Sequence, residues 1–264
     1  MQMNTETITS RPPDGQRKRR LGRTVFILPS ALTVGNIFCG FYALISTMRG
    51  NYDHAAQAIG IAIVLDMLDG RVARLTNSTT SFGLQLDSLA DVISFGVAPA
   101  ILAFFWGFQH INTQLGWIAA FTFTICGAMR LARFNVQAGD LKNFIGLPIP
   151  AAGGMIAATV HFIGDPVNDP TRSIGTVGAV FLLSFLMVST IRYSSLKQLT
   201  IGRKSHLTVL IIALLVALIF YYSKETLLLM GLAYCSSGVL HRIFSVLRQR
   251  KRSEIVYRDP LEHH

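Results

Sequence analysis

Apolar segments long enough to cross a lipid bilayer dominate this sequence and limit what it can fold into. A membrane-spanning helix needs about 20 mostly apolar residues. We read eight such segments, at residues 31–48, 55–75, 84–107, 114–133, 149–164, 173–192, 206–222 and 226–246. Only 14% of the residues are charged, against about 25% in an average soluble domain. The sequence therefore predicts an all-α, polytopic bundle of about eight transmembrane helices.

The positive charges lie mainly on one side of this predicted bundle. Of the 24 Lys and Arg residues, all but Arg49, Arg172 and Lys224 lie in segments on the same side as the two termini. Cytoplasmic loops of membrane proteins carry such an excess of Lys and Arg. We therefore expect cytoplasmic N and C termini. The net charge of +10 is then explained by contact with membrane lipids, and no nucleic-acid partner is expected.

The same pattern divides the chain into three regions. Residues 1–29 are expected to form a basic cytoplasmic segment, whose later part could lie as a helix on the membrane surface. Pro29 and Ser30 give a helix start signal for the first span. Residues 30–247 form the transmembrane domain, and residues 248–264 form a basic cytoplasmic tail that ends like the remnant of a histidine tag.

Trp106 and Trp117 lie near predicted span ends and are expected to belong to an aromatic belt at the membrane surface. The histidines outside the tag remnant occur singly in helices or loops. We therefore assign them no chemistry.

Four aspartates within two neighbouring apolar segments are the main chemical signal: Asp66, Asp69, Asp87 and Asp91. Each costs about 2.5–3.5 kcal/mol at membrane depth. Pairing with Arg71 and Arg74 would leave at least half of this charge uncompensated, because two guanidinium groups cannot neutralise four carboxylates. Oxygen-only ligands suit hard cations such as Mg²⁺ or Mn²⁺. The sequence therefore predicts a site for two divalent cations.

Helical geometry brings these aspartates onto shared faces. At about 100° per residue, one face of the first helix carries Asp66, Asp69, Gly70, Ala73 and Arg74. One face of the next helix carries Gly83, Asp87 and Asp91. The short polar connection at residues 76–81 predicts antiparallel helices, so the four carboxylates should converge. The small residues leave room for a large ligand or for close helix packing, and a guanidinium fork suits phosphate oxygens.

The order and spacing of these residues resembles the signature of the CDP-alcohol phosphatidyltransferase family. It reads DxxDGxxAR from Asp66, then eight residues, Gly83, three residues, Asp87, three residues and Asp91. Further stretches are similar to the bacterial, serine-using branch of that family: residues 29–33 with Asn36, 87–99, 130–135 and 146–152. The resemblance implies an enzyme of the bacterial cytoplasmic membrane with its active site facing the cytoplasm. It also implies the reaction of CDP-diacylglycerol with L-serine to give phosphatidylserine and CMP.

The resemblance also assigns roles to residues. The metal ligands are expected to be Asp66, Asp69, Asp87 and Asp91. Asp91 is also the expected general base, although the metals could do more than Asp91 to activate the acceptor hydroxyl. The expected CDP-lipid contacts are Gly70, Ala73, Arg74 and Gly83.

Two further pairs of residues each have two open interpretations. Thr33 and Asn36 share a face of the first helix, and could bind the nucleotide or form contacts between helices. Arg130 and Arg133 lie at the end of the fourth span. They could hold the carboxylate of an amino-acid acceptor or serve as ordinary cytoplasmic anchors.

Two rival functions stay open from the sequence. The first keeps the chemistry but uses glycerol 3-phosphate, inositol phosphate or choline as acceptor. The second is a divalent-cation transporter that uses the aspartates as its transport site. Arg74 beside the aspartates and the complete signature argue against the transporter. The oligomeric state is open, a homodimer included.

Overall fold

The computed structural model describes residues 14–76, 80–108, 111–136, 144–193, 218 and 221–258. Within these residues the chain is helical, apart from one pair of two-residue strands. Three predicted parts lie wholly or largely outside the description. They are the start of the basic N-terminal segment, the last six residues of the tail, and the seventh predicted span at 206–222 except for residues 218, 221 and 222.

The first two helices form an antiparallel pair that carries half of the predicted site. Helix α1 covers Asp14–Met48 and α2 covers Tyr52–Leu75. Pro29 lies inside α1, so the predicted helix start at Pro29 and Ser30 is wrong. A proline disturbs only the turn before it, and the helix continues on both sides. The chain reverses between the two helices at Gly50, whose φ of +77° favours glycine.

The third predicted span is one continuous helix with a π-helical turn in its middle. It consists of α3 (Ser81–Asp91), the π-helical turn Val92–Val97 and α4 (Ala98–Gly107). A π-helical turn changes the helical phase and occurs often at functional sites. Here it begins directly after Asp91. It places Ser94 so that its Oγ donates a hydrogen bond of 2.9 Å to the Asn36 carbonyl on α1.

Three more helices and a small ribbon complete the central bundle. They are α5 (Thr113–Val136), α6 (Ile149–Ile163) and α7 (Pro170–Val188), with strand β1 (Phe144–Ile145) antiparallel to β2 (Arg192–Tyr193). Gly146 follows β1 with a φ of +82°, and its N–H donates to the Ile191 carbonyl at 2.8 Å. A Cβ at Gly146 would collide with the Met187 carbonyl. The ribbon therefore fixes the start of α6 against the end of α7.

The last described helix, α8, covers Ser223–Arg258 and packs on α6. It includes the predicted eighth span and continues into the predicted basic tail. Close contacts at two glycines hold it against the bundle. A Cβ at Gly231 would lie 2.9 Å from Met155 Sδ, and one at Gly238 would overlap the Tyr193 ring. Small residues of this kind allow helices to approach closely in membrane proteins.

Four described helices are long and apolar enough to cross a membrane: Ser30–Met48, Ser81–Gly107, Thr113–Val136 and Pro170–Val188. The chain is therefore a helical membrane protein, while the predicted number of eight spans stays a prediction. The aromatic-belt prediction is wrong for Trp106, which is 1% exposed and donates its Nε1 proton to the Asp165 carbonyl. Trp117 is 53% exposed, as expected for that role.

Candidate active site

Helices α2 and α3 bring three of the four predicted aspartates together. One carboxylate oxygen each from Asp66, Asp69 and Asp87 lies within 4.8 Å of the other two. The start of α3 fixes this register, because the Thr80 hydroxyl caps the helix by accepting the Gly83 N–H at 3.0 Å. The predicted convergence of α2 and α3 is thus present in the structure.

Asp91 adds a fourth carboxylate one turn beyond Asp87. Its side chain is buried, and its charge interacts electrostatically with those of Asp66, Asp69 and Asp87. Asp91 also lies close enough to Arg130 on α5 to interact with its guanidinium group. Asp91 therefore interacts with both the three clustered carboxylates and the buried Arg130.

The donor set of this cluster fits divalent cations. Asp87 Oδ1 and Asp91 Oδ1 are buried and have no hydrogen-bond partner among the described residues. Among the described residues, no Lys or Arg comes within 4.0 Å of the four carboxylates. Unpartnered buried acceptors are costly, so this arrangement needs a ligand. One oxygen from each of Asp66, Asp69 and Asp87 lies within 4.8 Å of the other two, close enough for the three carboxylates to share one divalent cation.

Thr33 supports the cluster from α1. Its hydroxyl donates a hydrogen bond of 3.1 Å to Asp69 Oδ2, and both side chains are buried. This contact corresponds to the interhelical interpretation of Thr33 from the sequence. A hydrogen bond to a ligating carboxylate fixes its orientation, so Thr33 positions Asp69.

Asn36, one turn further along α1, has a different environment. Its side chain is fully buried, and within the described part of the chain neither its Oδ1 nor its Nδ2 has a hydrogen-bond partner. A buried amide without partners is unfavourable by about 1–3 kcal/mol per group. Asn36 is therefore available to bind a ligand that enters beside α1.

Gly70 and Gly83 do not pack against a neighbouring described helix. The nearest atoms to an added Cβ are Arg74 Nη1, 3.7 Å from that of Gly70, and Thr80 Oγ1, 3.1 Å from that of Gly83. Both neighbours belong to the glycine's own turn. Ala73 is half-buried and Arg74 is exposed, close enough to Asp69 for an electrostatic interaction. The open space favours ligand approach over helix packing as the reason for these small residues.

The two arginines at the end of α5 have separate environments. Arg130 is 8% exposed, its Nε has no hydrogen-bond partner in the residues that the structure describes, and its charge interacts with Asp91 and with the Tyr234 phenol. Arg133 instead donates from Nη1 to the Val188 carbonyl at 3.2 Å. That carbonyl lies at the C-terminus of α7, where a cation is favourable. Of these two arginines, only Arg130 interacts with an aspartate of the cluster.

One contact near the site escaped the sequence analysis. Asn135 Nδ2 donates a hydrogen bond of 2.9 Å to Ser88 Oγ, which joins the end of α5 to α3 next to Asp87. Asn135 lies in one of the stretches that resemble the serine-using branch, but nothing in its spacing indicates a partner on α3.

Comparison with known proteins is consistent with this geometry. The sequence model described as CDP-alcohol phosphatidyltransferase matches residues 26–185. A Helicobacter pylori protein named CDP-diacylglycerol–serine O-phosphatidyltransferase is 36% identical over 233 residues, which are 85% of this chain and 94% of the relative. A Bacillus subtilis protein of the same name is 38% identical over 171 residues, 65% of this chain and 92% of the relative. A Methanothermobacter thermautotrophicus protein named archaetidylserine synthase is 38% identical over 178 residues, 64% and 71% respectively.

Proposed function

Because this chain belongs to the CDP-alcohol phosphatidyltransferase family, we propose that it transfers the phosphatidyl group of CDP-diacylglycerol to L-serine, giving phosphatidylserine and CMP. The observation that carries the proposal is the cluster of Asp66, Asp69 and Asp87, together with the buried oxygens of Asp87 and Asp91 that have no hydrogen-bond partner among the described residues. The names of the Helicobacter pylori and Bacillus subtilis relatives support serine as the acceptor.

The four aspartates are the proposed ligands of two divalent cations, Mg²⁺ or Mn²⁺. Asp66, Asp69 and Asp87 offer three oxygens around one point, and Asp91 offers another beside them. Bound there, such cations would stabilise negative charge on the transferring phosphoryl group and on the leaving CMP. Thr33 keeps the Asp69 carboxylate oriented for this task.

The nucleotide end of the lipid is proposed to lie along the α2–α3 surface. Gly70, Ala73 and Gly83 leave the backbone accessible, and Arg74 offers two parallel donors for diphosphate oxygens. Asn36 has a free amide donor and acceptor, which match the hydrogen-bonding edges of a nucleotide. The diacylglycerol part stays in the membrane, while CMP leaves into water.

In the proposed reaction, the serine hydroxyl oxygen forms a bond to the phosphorus that carries diacylglycerol, and the bond from that phosphorus to CMP breaks. Asp91 is the proposed acceptor of the hydroxyl proton, because its Oδ1 is buried without a hydrogen-bond partner among the described residues and its carboxylate interacts with the Arg130 charge. The proton count then balances, since the protonated carboxyl returns its proton to solvent after CMP leaves.

Arg130 is the proposed partner of the serine carboxylate. It is buried beside Asp91 and has an unused Nε donor. Removing the partner of a desolvated charge costs about 2–5 kcal/mol. Arg130→Ala should therefore raise the KM for serine strongly and leave the KM for CDP-diacylglycerol nearly unchanged. Arg133→Ala, which removes a contact to the Val188 carbonyl, should affect the KM for serine less.

The proposed setting is a bacterial cytoplasmic membrane, with eight spans, cytoplasmic termini and the active site on the cytoplasmic side. The distribution of Lys and Arg supports this orientation. A cysteine introduced at Ser78 should react with impermeant reagents from the cytoplasmic side only, and one at Asn168 from the opposite side only. The reverse pattern would contradict the proposed topology.

An acceptor panel tests the proposed function directly. Purified protein is given CDP-diacylglycerol with serine, glycerol 3-phosphate, inositol phosphate or choline, and CMP and the new phospholipid are measured. We expect serine alone to support turnover. Use of glycerol 3-phosphate with no use of serine would overturn the acceptor but leave the family chemistry intact. Absence of CMP release with every acceptor would contradict the chemistry itself.

A further inference from the structure

A large cavity lies between four helices, away from the aspartate cluster. Its volume is about 1360 Å³, and residues of α4, α6, α7 and α8 line it. Sites for small molecules usually measure about 300–1,000 Å³, so this space is large enough for part of a lipid. None of the four aspartates of the cluster lines the cavity, and neither does Arg130. The cavity is therefore a candidate site separate from the active site.

The walls of this cavity are apolar over most of its length. Helix α7 lines it from Arg172 to Leu186, which is about 21 Å at a rise of about 1.5 Å per residue. One leaflet contributes about half of the 30 Å hydrocarbon core, so an acyl chain fits along the cavity. Leu182 and Leu240 line it and are largely exposed, so the described residues leave one side open. Further apolar lining residues are Met155, Ile156, Leu183, Leu232 and Val239.

One end of the cavity is polar and carries charges of both signs. Asp165, Asn168, Asp169 and Arg172 line it there. Asp169 caps α7, because its Oδ2 accepts the Arg172 N–H at 3.4 Å. Among the described residues, the Arg172 guanidinium and the Asp165 carboxylate have no ion-pair partner within 4.0 Å. These two charges are therefore available to a ligand.

Trp106 fixes the loop that forms this polar end. Its Nε1 donates a hydrogen bond of 2.9 Å to the Asp165 carbonyl, and its own carbonyl accepts the Val167 N–H at 3.0 Å. Trp106 is 1% exposed and itself lines the cavity. Because the loop is held at two points, the polar end has its position before any ligand binds.

The polar end lies at the opposite end of α2 from the aspartate cluster. The Tyr52 hydroxyl, at the start of α2, donates to the Phe105 carbonyl next to Trp106 at 3.3 Å. Asp66 and Asp69 lie about 20–25 Å further along α2, at about 1.5 Å per residue. A lipid with its headgroup at the aspartates cannot also place that headgroup at Asp165 and Arg172. The polar end therefore suits a second lipid.

We propose that this cavity binds a membrane phospholipid whose headgroup carries both a phosphate and an ammonium group. The phosphate pairs with the Arg172 guanidinium, the ammonium pairs with the Asp165 carboxylate, and one acyl chain lies along α7. The polar end has two carboxylates and one guanidinium. A zwitterionic headgroup matches these charges, whereas an anionic headgroup would meet the Asp165 carboxylate with no ammonium to pair with it.

Trp106 provides the readout for a binding test, because the chain contains only two tryptophans. Trp117, which is 53% exposed, is first replaced by Phe. The purified full chain in detergent is then titrated with phosphatidylethanolamine that carries brominated acyl chains, which quench tryptophan fluorescence on contact. We expect saturable quenching of Trp106. Phosphatidylglycerol with the same chains has a phosphate but no ammonium, and should bind about tenfold more weakly.

The charges at the polar end are tested with two variants. Arg172→Ala should weaken the binding of both lipids about tenfold, the effect of losing one hydrogen bond to a charged group. Asp165→Asn should weaken only the binding of phosphatidylethanolamine, so that its preference over phosphatidylglycerol disappears. Arg49→Ala and Glu225→Gln are the matched controls and should change neither affinity, because both residues are exposed and do not line the cavity.

The path of the acyl chain is tested with two glycines of α7. A Cβ added at Gly175 or at Gly178 would have no described atom within 4 Å, so both positions accept a side chain. Only Gly175 lines the cavity. Gly175→Leu should therefore remove most of the quenching by occupying the space of the chain. Gly178→Leu is the matched control and should leave the quenching unchanged.

Four outcomes would overturn the inference. Absence of saturable quenching by phosphatidylethanolamine would show that the cavity takes no such lipid, and equal quenching by the two lipids would show that the headgroup is not recognised. Equal quenching in Gly175→Leu and Gly178→Leu would show that the chain lies elsewhere. Stronger quenching by brominated CDP-diacylglycerol than by phosphatidylethanolamine would assign the cavity to the substrate lipid. Each of these results leaves the proposed function intact.

Discussion

The two ends of α2 carry aspartates in opposite situations. At one end, both Asp53 oxygens have partners, His161 at 2.5 Å and Gln57 at 2.9 Å. At the other end, Asp66 and Asp69 lie close to Asp87 on α3, and Asp87 Oδ1 and Asp91 Oδ1 are buried without a hydrogen-bond partner among the described residues. The two sites lie about 20 Å apart, from the rise of about 1.5 Å per residue along one helix.

This difference distinguishes a carboxylate that stabilises the fold from carboxylates that bind a ligand. A hydrogen-bonded carboxylate such as Asp53, whose side chain is 44% exposed, contributes modestly to stability, because its hydrogen bonds within the protein replace those it made with water. A group of like charges without partners does the reverse, and its unfavourable energy is relieved only when cations bind. Substitutions at the two ends should therefore act on different quantities, stability at Asp53 and activity at the cluster.

The largest effect is expected at the cluster. Asp66→Asn or Asp87→Asn each deletes one charge from a shared site, so activity should fall at least about a thousandfold, the scale for losing an electrostatic group from a catalytic site. Divalent-cation binding, measured by calorimetry, should weaken in parallel. Thermal stability in EDTA should stay equal or rise, because repulsion is reduced. Full turnover of either variant in EDTA would show that the aspartates do not act through a metal.

The aspartate cluster was predictable because its information is local. The spacing of Asp66 and Asp69 on one helix, of Asp87 and Asp91 on the next, and a short connection suffice to bring the faces together. Most boundaries of the described helices followed from apolar composition, but the start of α1 at Asp14 did not. The interhelical contact of Thr33 was one of two open interpretations, but its partner Asp69 depends on how α1 rotates against α2, which no local pattern contains.

Other features depended on tertiary contacts and could not be predicted. His161 is alone in its sequence neighbourhood, and its partners lie 108 and 62 residues away. Trp106 resembles a membrane-surface residue by position, yet the Asp165 carbonyl takes its proton inside the bundle. The π-helical turn after Asp91 has no known sequence signal in this segment. Arg130 and Arg133 look alike in sequence, and only helix rotation assigns them different neighbours.

A second large effect is expected at Arg74. If this exposed side chain binds diphosphate with its planar fork, Arg74→Lys keeps the charge but loses the paired geometry. We expect kcat/KM for CDP-diacylglycerol to fall about a hundredfold, with thermal stability unchanged. Arg71→Lys, on a different face of the same helix turn, is the matched control. Near-normal kinetics of Arg74→Lys would show that Arg74 acts only as a distant positive charge and does not bind the diphosphate with its fork.

A smaller effect is expected at Thr33, which supports the cluster without belonging to it. Thr33→Val keeps the shape and removes the hydrogen bond to Asp69. Loss of such supporting contacts typically weakens metal affinity about 10–100-fold. The divalent-cation concentration for half-maximal activity should rise accordingly, while kcat at saturating cation is largely restored. A loss of kcat that added cation does not restore would show that Thr33 contributes to the chemical step and not only to cation binding.

The smallest effect on catalysis is expected at the other end of α2. Asp53→Ala removes the hydrogen bond between His161 Nδ1 and the Asp53 carboxylate. It should lower the free energy of unfolding by about 1 kcal/mol, the typical value of a hydrogen bond. The melting temperature should fall by a few degrees, while kcat at saturating serine stays within twofold of wild type. A large loss of kcat would show that Asp53 contributes to catalysis, which contradicts the proposed difference between the two ends of α2.

The most direct measurement of the central claim follows both products of the proposed reaction. Purified protein is stripped with EDTA, supplied with CDP-diacylglycerol and L-serine, and then titrated with Mg²⁺ or Mn²⁺. We predict that phosphatidylserine and CMP appear in equal amounts, only after the cation is added, and not at all with Asp87→Asn. Phosphatidylserine formed at an undiminished rate in EDTA, or CMP released without phosphatidylserine, would contradict the account.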